Sequence, residues 1–316
     1  MGTAEFDLIS RIRARVAARA DVVLGIGDDA ALLEVPPGMQ LVVTADTLNT
    51  GVHFPEATAP ADIGWKSLAV NLSDLAAMGA KPAWCTLSLS LPQAEESWID
   101  GFLDGFLELA DLHGISLVGG DTTRGPLSIA VTAMGLVESG HALRRDGARV
   151  GDDIWVTGTL GDAAFALNEI LAGRAVDINS RLRLDRPVPR VGAGLHLSGL
   201  ANACVDLSDG LLADLGHICE GSGVGTVLEL PLLPASAGLL ELQPSARWPF
   251  QASGGDDYEL CFTATPRHRE QIVQAMDFAA TRITRVGRIV VGQGVRALDD
   301  NGAEWHSSRS GYQHFR

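Results

Sequence analysis

Short apolar stretches alternate with amphipathic stretches along the whole chain. Residues 5–19 carry apolar side chains at helical spacing, which predicts a helix. Further helices are predicted at 61–79, 95–113 and near 266–279, and strands at 41–48, 84–91 and 127–137. Because the two kinds of element follow one another throughout, the predicted fold class is α+β or α/β.

The length of 316 residues exceeds what one hydrophobic core usually serves, so two domains are expected. The polar, glycine-containing segment 139–153 marks the predicted boundary. It gives an N-terminal domain over 1–138 and a C-terminal domain over 139–316.

Two similar motifs, NLSD (71–74) and DLSD (206–209), are each predicted to open a helix, which hints at two similarly built halves. Asp206 and Asp209 would then lie on one side of the helix start, an arrangement that suits a shared metal ion.

The formal net charge of −15 argues against nucleic acid and an anionic membrane as partners. No apolar run approaches the roughly 18 residues of a membrane helix. The amino-terminal sequence also lacks the apolar core and cleavage site of a signal peptide, so a cytoplasmic location is expected. The four cysteines form no C-x-x-C pair and are predicted to be reduced core residues.

Two common nucleotide-binding motifs do not explain the glycine-rich segments. GIGDDA (25–30) matches G-x-G-x-x-A, but Pro36 and Pro37 leave no room for the helix that must follow. Asp28 and Asp29 would also repel a pyrophosphate. Lysine is nearly absent and none follows a G-x-x-x-x-G, which excludes a phosphate-binding P-loop.

Acidic motifs recur where apolar runs end: GIGDD, TADT, NLSD, GGDTTRG, DLSDG and GGDD. A single acidic turn is usually only a turn or a helix cap. Their repetition is better explained by ligands for magnesium, which binds one or two carboxylates together with water and substrate phosphate. In GGDTTRG the glycines allow close approach to a phosphate, Asp121 can hold the counter-ion, and Arg124 either clamps phosphate or anchors the loop.

The ordered set of motifs resembles one family. The matching segments are GIGDDAAL, TADTLNTGVHF, KSLAVNLSDLAAMGAKPAW, LVGGDTTRGPLS, DLSDGLLADLGHI, SGGDDYELCF and GYQHF. By this resemblance the sequence is identified as a member of the thiamine-monophosphate kinase family, in the superfamily of aminoimidazole ribonucleotide synthetase. The resemblance implies a two-domain α+β fold of that type, with N-terminal sheets pairing across a homodimer and a C-terminal α/β domain.

The same resemblance implies ATP and thiamine monophosphate as substrates, with several Mg²⁺ ions. The magnesium ligands that it implies are Asp29, Thr44, Ala45, Asp46, Asp74, Asp121, Asp206 and Asp209. The implied ATP contacts are Gly120, Asp121, Arg145 and Ser208, and the implied thiamine monophosphate contacts are His53, Asp256 and Tyr312. Asp74, Asp121 and Asp209 are expected to be catalytic.

Two positions depart from the family pattern. Ala45 stands where a hydroxyl residue is frequent, so only its backbone can reach a metal ion. Asp256 stands where glutamate is common, which shortens its reach to the substrate.

The expected reaction is direct in-line transfer of the γ-phosphoryl group of ATP, with magnesium screening the repulsion between two polyanions. Three alternatives stay open. They are another ATP-dependent enzyme of the superfamily, a magnesium-dependent phosphohydrolase with water as acceptor, and a non-catalytic nucleotide-binding module.

Overall fold

The computed structural model describes residues 5–307, with side chains described from residue 9 onward. The described chain divides into two compact units. The first contains the described residues up to Leu75 together with Ala80–Gly140, and the second contains Ala76–Gly79 together with the described residues from His141 onward. The predicted boundary after residue 138 remains our proposal for the domain organisation.

The first unit is built on a four-stranded sheet. Its elements are α1 (Glu5–Arg15), β1 (Val22–Leu24), β2 (Leu32–Leu33), β3 (Met39–Asn49), α2 (Pro60–Ala77), β4 (Lys81–Leu91), α3 (Glu96–His113), β5 (Ser116–Arg124) and β6 (Ser128–Glu138). The strand order is β3-β6-β4-β5, in which β4 and β5 are parallel and the other neighbours are antiparallel. β1 and β2 form a separate two-stranded ribbon.

One face of this sheet is covered by helix and the other is more open. On β6, the buried residues Ile129, Val131 and Ala133 alternate with half-buried ones, because successive side chains of a strand point to opposite faces. Leu75 of α2 lies against Gly135, a β6 position on the same face as these buried residues. We call this the helix-covered face, and the opposite one the open face.

The second unit is built on a seven-stranded mixed sheet. Its elements are β7 (Asp153–Thr157), α4 (Asp162–Leu171), α5 (Ile178–Asp185), α6 (Val191–Leu197), β8 (Ala203–Asp206), α7 (Leu211–Ser222), β9 (Gly225–Glu229), α8 (Ala237–Leu240), α9 (Pro244–Ser253), β10 (Leu260–Ala264), α10 (Arg269–Phe278), β11 (Ile283–Val290), β12 (Gly294–Leu298) and β13 (Glu304–Trp305). The strand order is β13-β12-β9-β11-β7-β10-β8, and β9 and β12 are a parallel pair. An apolar core from β7, β8, α7 and β11 includes Val156, Val205, Leu215 and Val286.

A buried ionic network lies in the second unit around Glu259, whose side chain is fully buried. Arg190 donates to both carboxylate oxygens, from Nε and Nη2 at 2.6 Å each. Arg183 Nη2 donates at 2.7 Å and Thr157 Oγ1 at 2.6 Å. These charge-assisted bonds compensate the cost of burying the carboxylate.

The structure corrects the predicted position of both LSD motifs. Residues 71–74 do not open a helix: they lie near the end of α2, which begins at Pro60. Proline suits a first helical turn, and the run of small and apolar residues continues the helix through the motif. Residues 206–209, in contrast, lie before their helix, because α7 begins at Leu211. Asp206 and Asp209 therefore do not share a helical turn.

Two further boundaries differ from the prediction. α1 ends at Arg15 rather than at residue 19. The GGDTT segment, expected to be a loop, belongs to β5 because its backbone pairs with β4. The four cysteines are buried and free of disulfides, as predicted. No helix in the described part of the chain has the length and apolar character needed to span a membrane.

Replacing Glu259 by alanine should lower the free energy of unfolding by about 3–5 kcal/mol, because two largely buried arginines lose their carboxylate partner. The matched control is Glu304→Ala, which removes an exposed pair with Arg296 and should cost at most about 1 kcal/mol. Urea denaturation followed by circular dichroism measures both. Similar small losses in the two variants would contradict a structural role for the buried network.

Candidate active site

Three polar side chains meet between β3 and α2. Thr44 and Asp46 lie opposite buried residues of β6 in the strand register, so both side chains lie on the helix-covered face. Asp74, in the last turn of α2, accepts a 2.5 Å hydrogen bond from Thr44 Oγ1. A strand and a helix that are distant in sequence thus bring two carboxylates and one hydroxyl together.

The environment of Asp46 disfavours its negative charge. Burial, and secondly the charge of Asp74, raises the pKa of Asp46 to about 6. A bound cation would relieve both effects, because it replaces lost solvation and offsets the like charge. Carboxylate and hydroxyl oxygens are the ligands that a hard divalent cation such as Mg²⁺ takes.

The side chain of Ala45 lies on the opposite face of the sheet from those of Thr44 and Asp46. Its side chain is exposed and lies opposite Thr132, on the open face of the sheet. Because the methyl group offers no ligand atom, only the backbone carbonyl of Ala45 can serve a metal ion.

A cavity of about 830 Å³ lies in the first unit beside β4 and β5. It is lined by α1, by the turn at residues 25–31 and by the strands themselves. Asp28 and Asp29 line it together with Gly120 and Asp121. The backbone N–H of Asp29 donates to Asp28 Oδ1 at 2.8 Å, which orders the turn. The cavity therefore joins the GIGDD and GGD motifs, as a shared phosphate and metal site requires.

Gly120 has a structural reason to be glycine. Its φ is 151°, and a Cβ there would lie 1.8 Å from the carbonyl oxygen of Leu87. The next residue, Asp121, lies opposite Ser88, which in turn pairs with Ala130 of β6. This register places Asp121 on the open face, whereas Thr44 and Asp46 lie on the helix-covered face.

His53 is held by its own turn and by a buried lysine. The backbone N–H of Asn49 donates to His53 Nδ1 at 3.0 Å, so a neutral imidazole carries its proton on Nε2. Lys66 Nζ donates to the His53 carbonyl at 3.0 Å, although the lysine side chain is almost fully buried in α2. We did not predict this role for Lys66; the available signal was a lysine within an otherwise apolar helix.

Two loops of the second unit pair with each other and place Asp256 beside Ser208. Asp256 N donates to the Ser208 carbonyl at 2.9 Å, and Tyr258 N donates to the Leu207 carbonyl at 2.8 Å. Asp256 and Tyr258 have φ values of 68° and 49°, which non-glycine residues rarely adopt. Tyr258 Oη donates to Asp256 Oδ1 at 3.1 Å. Such strain is retained only where surrounding bonds fix the backbone.

Asp214 supports the loop that carries Asp209 and was missed by sequence reasoning. Its Oδ2 accepts hydrogen bonds from the backbone N–H groups of Asp209 at 3.1 Å and Gly210 at 3.0 Å. Burial, followed by the charge of Asp209, raises the pKa of Asp214 to about 7. The available signal was local: an aspartate in the first turn of α7 can accept hydrogen bonds from the backbone N–H groups that lead into the helix.

The remaining predicted residues have different environments. Asp206 is buried at the end of β8. Arg145 lies in an exposed loop, where its carbonyl accepts a 3.2 Å bond from Ser222 Oγ. Tyr312 lies outside the described residues.

The described side chains, residues 9–307, include no preassembled metal centre, because no three His, Cys, Asp or Glu side chains among them are grouped closely enough to hold one ion. The joint convergence of all the predicted aspartates stays a prediction.

Comparisons with known proteins identify the family of this chain. Residues 27–137 match the family described as AIR synthase related protein, N-terminal domain, and residues 149–300 match the corresponding C-terminal domain. The thiamine-monophosphate kinase of Escherichia coli (strain K12) is 44% identical over 325 residues, which cover 100% of this chain and 99% of that protein. The chain belongs to the thiamine-monophosphate kinase family.

Solved structures from this kinase family have the same fold as this chain. Thiamine-monophosphate kinase from Stenotrophomonas maltophilia K279a matches with a TM-score of 0.88 and 57% identity, over 94% of this chain and 97% of that one. AaThiL complexed with AMPPCP and TMP matches with a TM-score of 0.78 and 32% identity, over 98% and 97% of the two chains. The predicted two-domain α+β fold is therefore confirmed.

For this kinase family member, Asp46→Asn should stabilise the metal-free protein at pH 7.5. The folded-state pKa of Asp46 lies above its ordinary value of 3.8, so its charge begins to cost stability as pH rises above about 4 and costs most above about 6. The shift corresponds to a gain on the order of 2–3 kcal/mol at pH 7.5 and little gain at pH 4.

Thermal unfolding in EDTA at both pH values measures the difference. Asp111→Asn, at an exposed position of α3, is the matched control and should change stability little at either pH. A destabilised Asp46→Asn protein at pH 7.5 would show that the carboxylate is not under electrostatic stress.

Proposed function

We propose that this chain transfers the γ-phosphoryl group of ATP to thiamine monophosphate, giving ADP and thiamine diphosphate. The observation that supports this most directly is the full-length similarity to thiamine-monophosphate kinases, including AaThiL solved with AMPPCP and TMP. The gathered acidic groups supply the chemistry that such a reaction needs.

The oxygen atoms of the site fit magnesium. Asp46 and Asp74, with Thr44 beside them, form one hard-oxygen group, and the raised pKa of Asp46 favours a bound cation there. Asp29 and Asp121 line the cavity as a second group, and Asp206 and Asp209 belong to a third in the second unit. When bound, Mg²⁺ would neutralise phosphate charge and stabilise the charge of the transition state.

The protein would bind ATP through backbone and polar groups. Gly120 and Asp121 offer a close backbone approach and a carboxylate within the cavity. Arg145 and Ser208 are the proposed ATP contacts of the second unit.

Thiamine monophosphate would be held by His53, Asp256 and Tyr312. The Nε2–H of a neutral His53 is a donor suited to a phosphate or carbonyl oxygen. The strained backbone at Asp256 fixes the direction of its carboxylate, which partly compensates for a side chain shorter than glutamate.

The reaction needs alignment and charge neutralisation more than a base. An anionic phosphate oxygen of thiamine monophosphate attacks the γ-phosphorus, the bond to the β,γ-bridging oxygen breaks, and ADP leaves. Because the nucleophile is already deprotonated, no side chain must remove a proton. Asp74, Asp121 and Asp209 are the carboxylates that we assign to catalysis. The cytoplasmic location stays a prediction from the sequence.

A product assay tests this function. Wild-type protein with ATP, Mg²⁺ and thiamine monophosphate should form thiamine diphosphate and ADP in equal amounts, measured by chromatography. Without thiamine monophosphate, ATP consumption should fall to background. Equal phosphate release with and without it would identify a phosphohydrolase, and nucleotide binding with no product would identify a binding module.

Asp74→Asn should reduce kcat by at least about 100-fold at saturating Mg²⁺, because it removes one charge from the group that balances the reacting phosphates. Asp111→Asn serves again as the control and should retain near wild-type turnover. Circular dichroism should show both variants folded. Near wild-type turnover of the Asp74 variant would contradict its catalytic role.

The homodimer is proposed from the open face of the first unit. Val43 and Leu41 of the edge strand β3 are 56% and 44% exposed, so the sheet offers an apolar edge that a second copy can cover. Val43→Glu should therefore shift the protein towards monomer in analytical ultracentrifugation, with Val43→Thr as the milder control. An unchanged sedimentation coefficient for Val43→Glu would place the dimer contact elsewhere.

A further inference from the structure

The arginines near the amino terminus have two different environments. Arg11 and Arg15 form ion pairs with carboxylates of α3, and Arg19 pairs with Asp21 in the turn between α1 and β1. The N–O distances are 2.6–2.8 Å. Within the part of the chain that the structure describes, Arg13 has no such pair. Its side chain instead lines the 830 Å³ cavity.

The guanidinium of Arg13 lies beside Gly27, and both residues line this cavity. Gly27 has a φ of 125°, and a Cβ there would lie 2.6 Å from Arg13 Nη1. The glycine therefore leaves the space that the guanidinium occupies over the GIGDD turn. A larger residue would displace the arginine or distort the turn.

The charges around the cavity point to an anionic ligand with its counter-ion. Among its described lining residues, Arg13 is the single lysine or arginine, and Asp28, Asp29 and Asp121 are the acids. Arg13 shares the wall of the cavity with these acids, and no ion pair joins it to any of them among the described residues, so its donors remain available to a ligand. A planar guanidinium can give two parallel hydrogen bonds to a phosphate, and a cavity of this size suits a nucleotide.

We propose that Arg13 is a further nucleotide-binding residue, whose guanidinium contacts the polyphosphate of ATP over the GIGDD turn. The inference rests on the proposed function and adds a cationic contact to the carboxylates and backbone of that site. It also assigns a role to Gly27, which makes room for the arginine. An ordinary solvated arginine on the surface of α1 is the competing interpretation.

The test compares Arg13→Gln and Arg13→Lys with wild type in the thiamine diphosphate assay. Arg13→Gln should raise the KM for ATP about tenfold while kcat and the KM for thiamine monophosphate change less than twofold. Arg13→Lys keeps the charge but loses the planar fork, so its KM for ATP should lie between the two. Calorimetric titration with Mg²⁺ and AMPPCP should show a matching loss of affinity without turnover.

Arg174→Gln is the matched control, because it removes the same charge from an exposed pair with Glu169 in the second unit. It should leave the KM for ATP unchanged. An unchanged KM and AMPPCP affinity in Arg13→Gln, or an equal change in Arg174→Gln, would overturn the proposal. If wild-type protein forms no thiamine diphosphate, the proposed function fails first, while AMPPCP titration still decides whether Arg13 contacts the nucleotide.

Discussion

The placement of Asp46 beside Asp74 is the constraint on which the proposed chemistry depends. Two carboxylates on the covered side of a sheet repel each other and lose solvation, and Thr44 compensates only part of that cost. The fold tolerates this arrangement because α2 is buried along most of its length and β3 pairs with β6 throughout. Two carboxylates that repel each other and have lost solvation favour a divalent cation between them. In the proposed reaction such a cation would offset the charge of the two polyanionic substrates.

In the second unit, a buried ionic network that stabilises the fold lies next to a loop with predicted site residues. Its GGDDYE loop has two strained non-glycine residues, Asp256 and Tyr258, directly before the fully buried Glu259. The arginine pairs of Glu259 hold the end of this loop, while backbone bonds to Leu207 and Ser208 hold its middle. The strained positions are therefore fixed from both sides, and Tyr258 Oη also donates to the carboxylate of Asp256.

The sequence predicted most of the fold, and the reasons for its errors are physical. The apolar run at 41–48 located much of β3, and the long apolar patterns located α2 and α3 closely, but the common face of Thr44 and Asp46 emerged only from the strand register. The prediction that residues 71–74 open a helix was wrong. A short acidic motif resembles a helix start even when the preceding residues already form the helix. Asp214 was missed although its partners, the backbone N–H groups of Asp209 and Gly210, directly precede its helix. Lys66 was missed because its partner is the carbonyl of His53, in a turn that precedes α2.

Proton release on metal binding tests the central electrostatic claim most directly. Mg²⁺ would be titrated into nucleotide-free wild-type protein at pH 6 and pH 8 by calorimetry, in buffers of different ionisation enthalpy. With the pKa of Asp46 near 6, binding should release protons at pH 6 and far fewer at pH 8, and Asp46→Asn should lose the difference. Binding without proton release at pH 6, or no binding at either pH, would contradict a carboxylate pair that is poised for a cation.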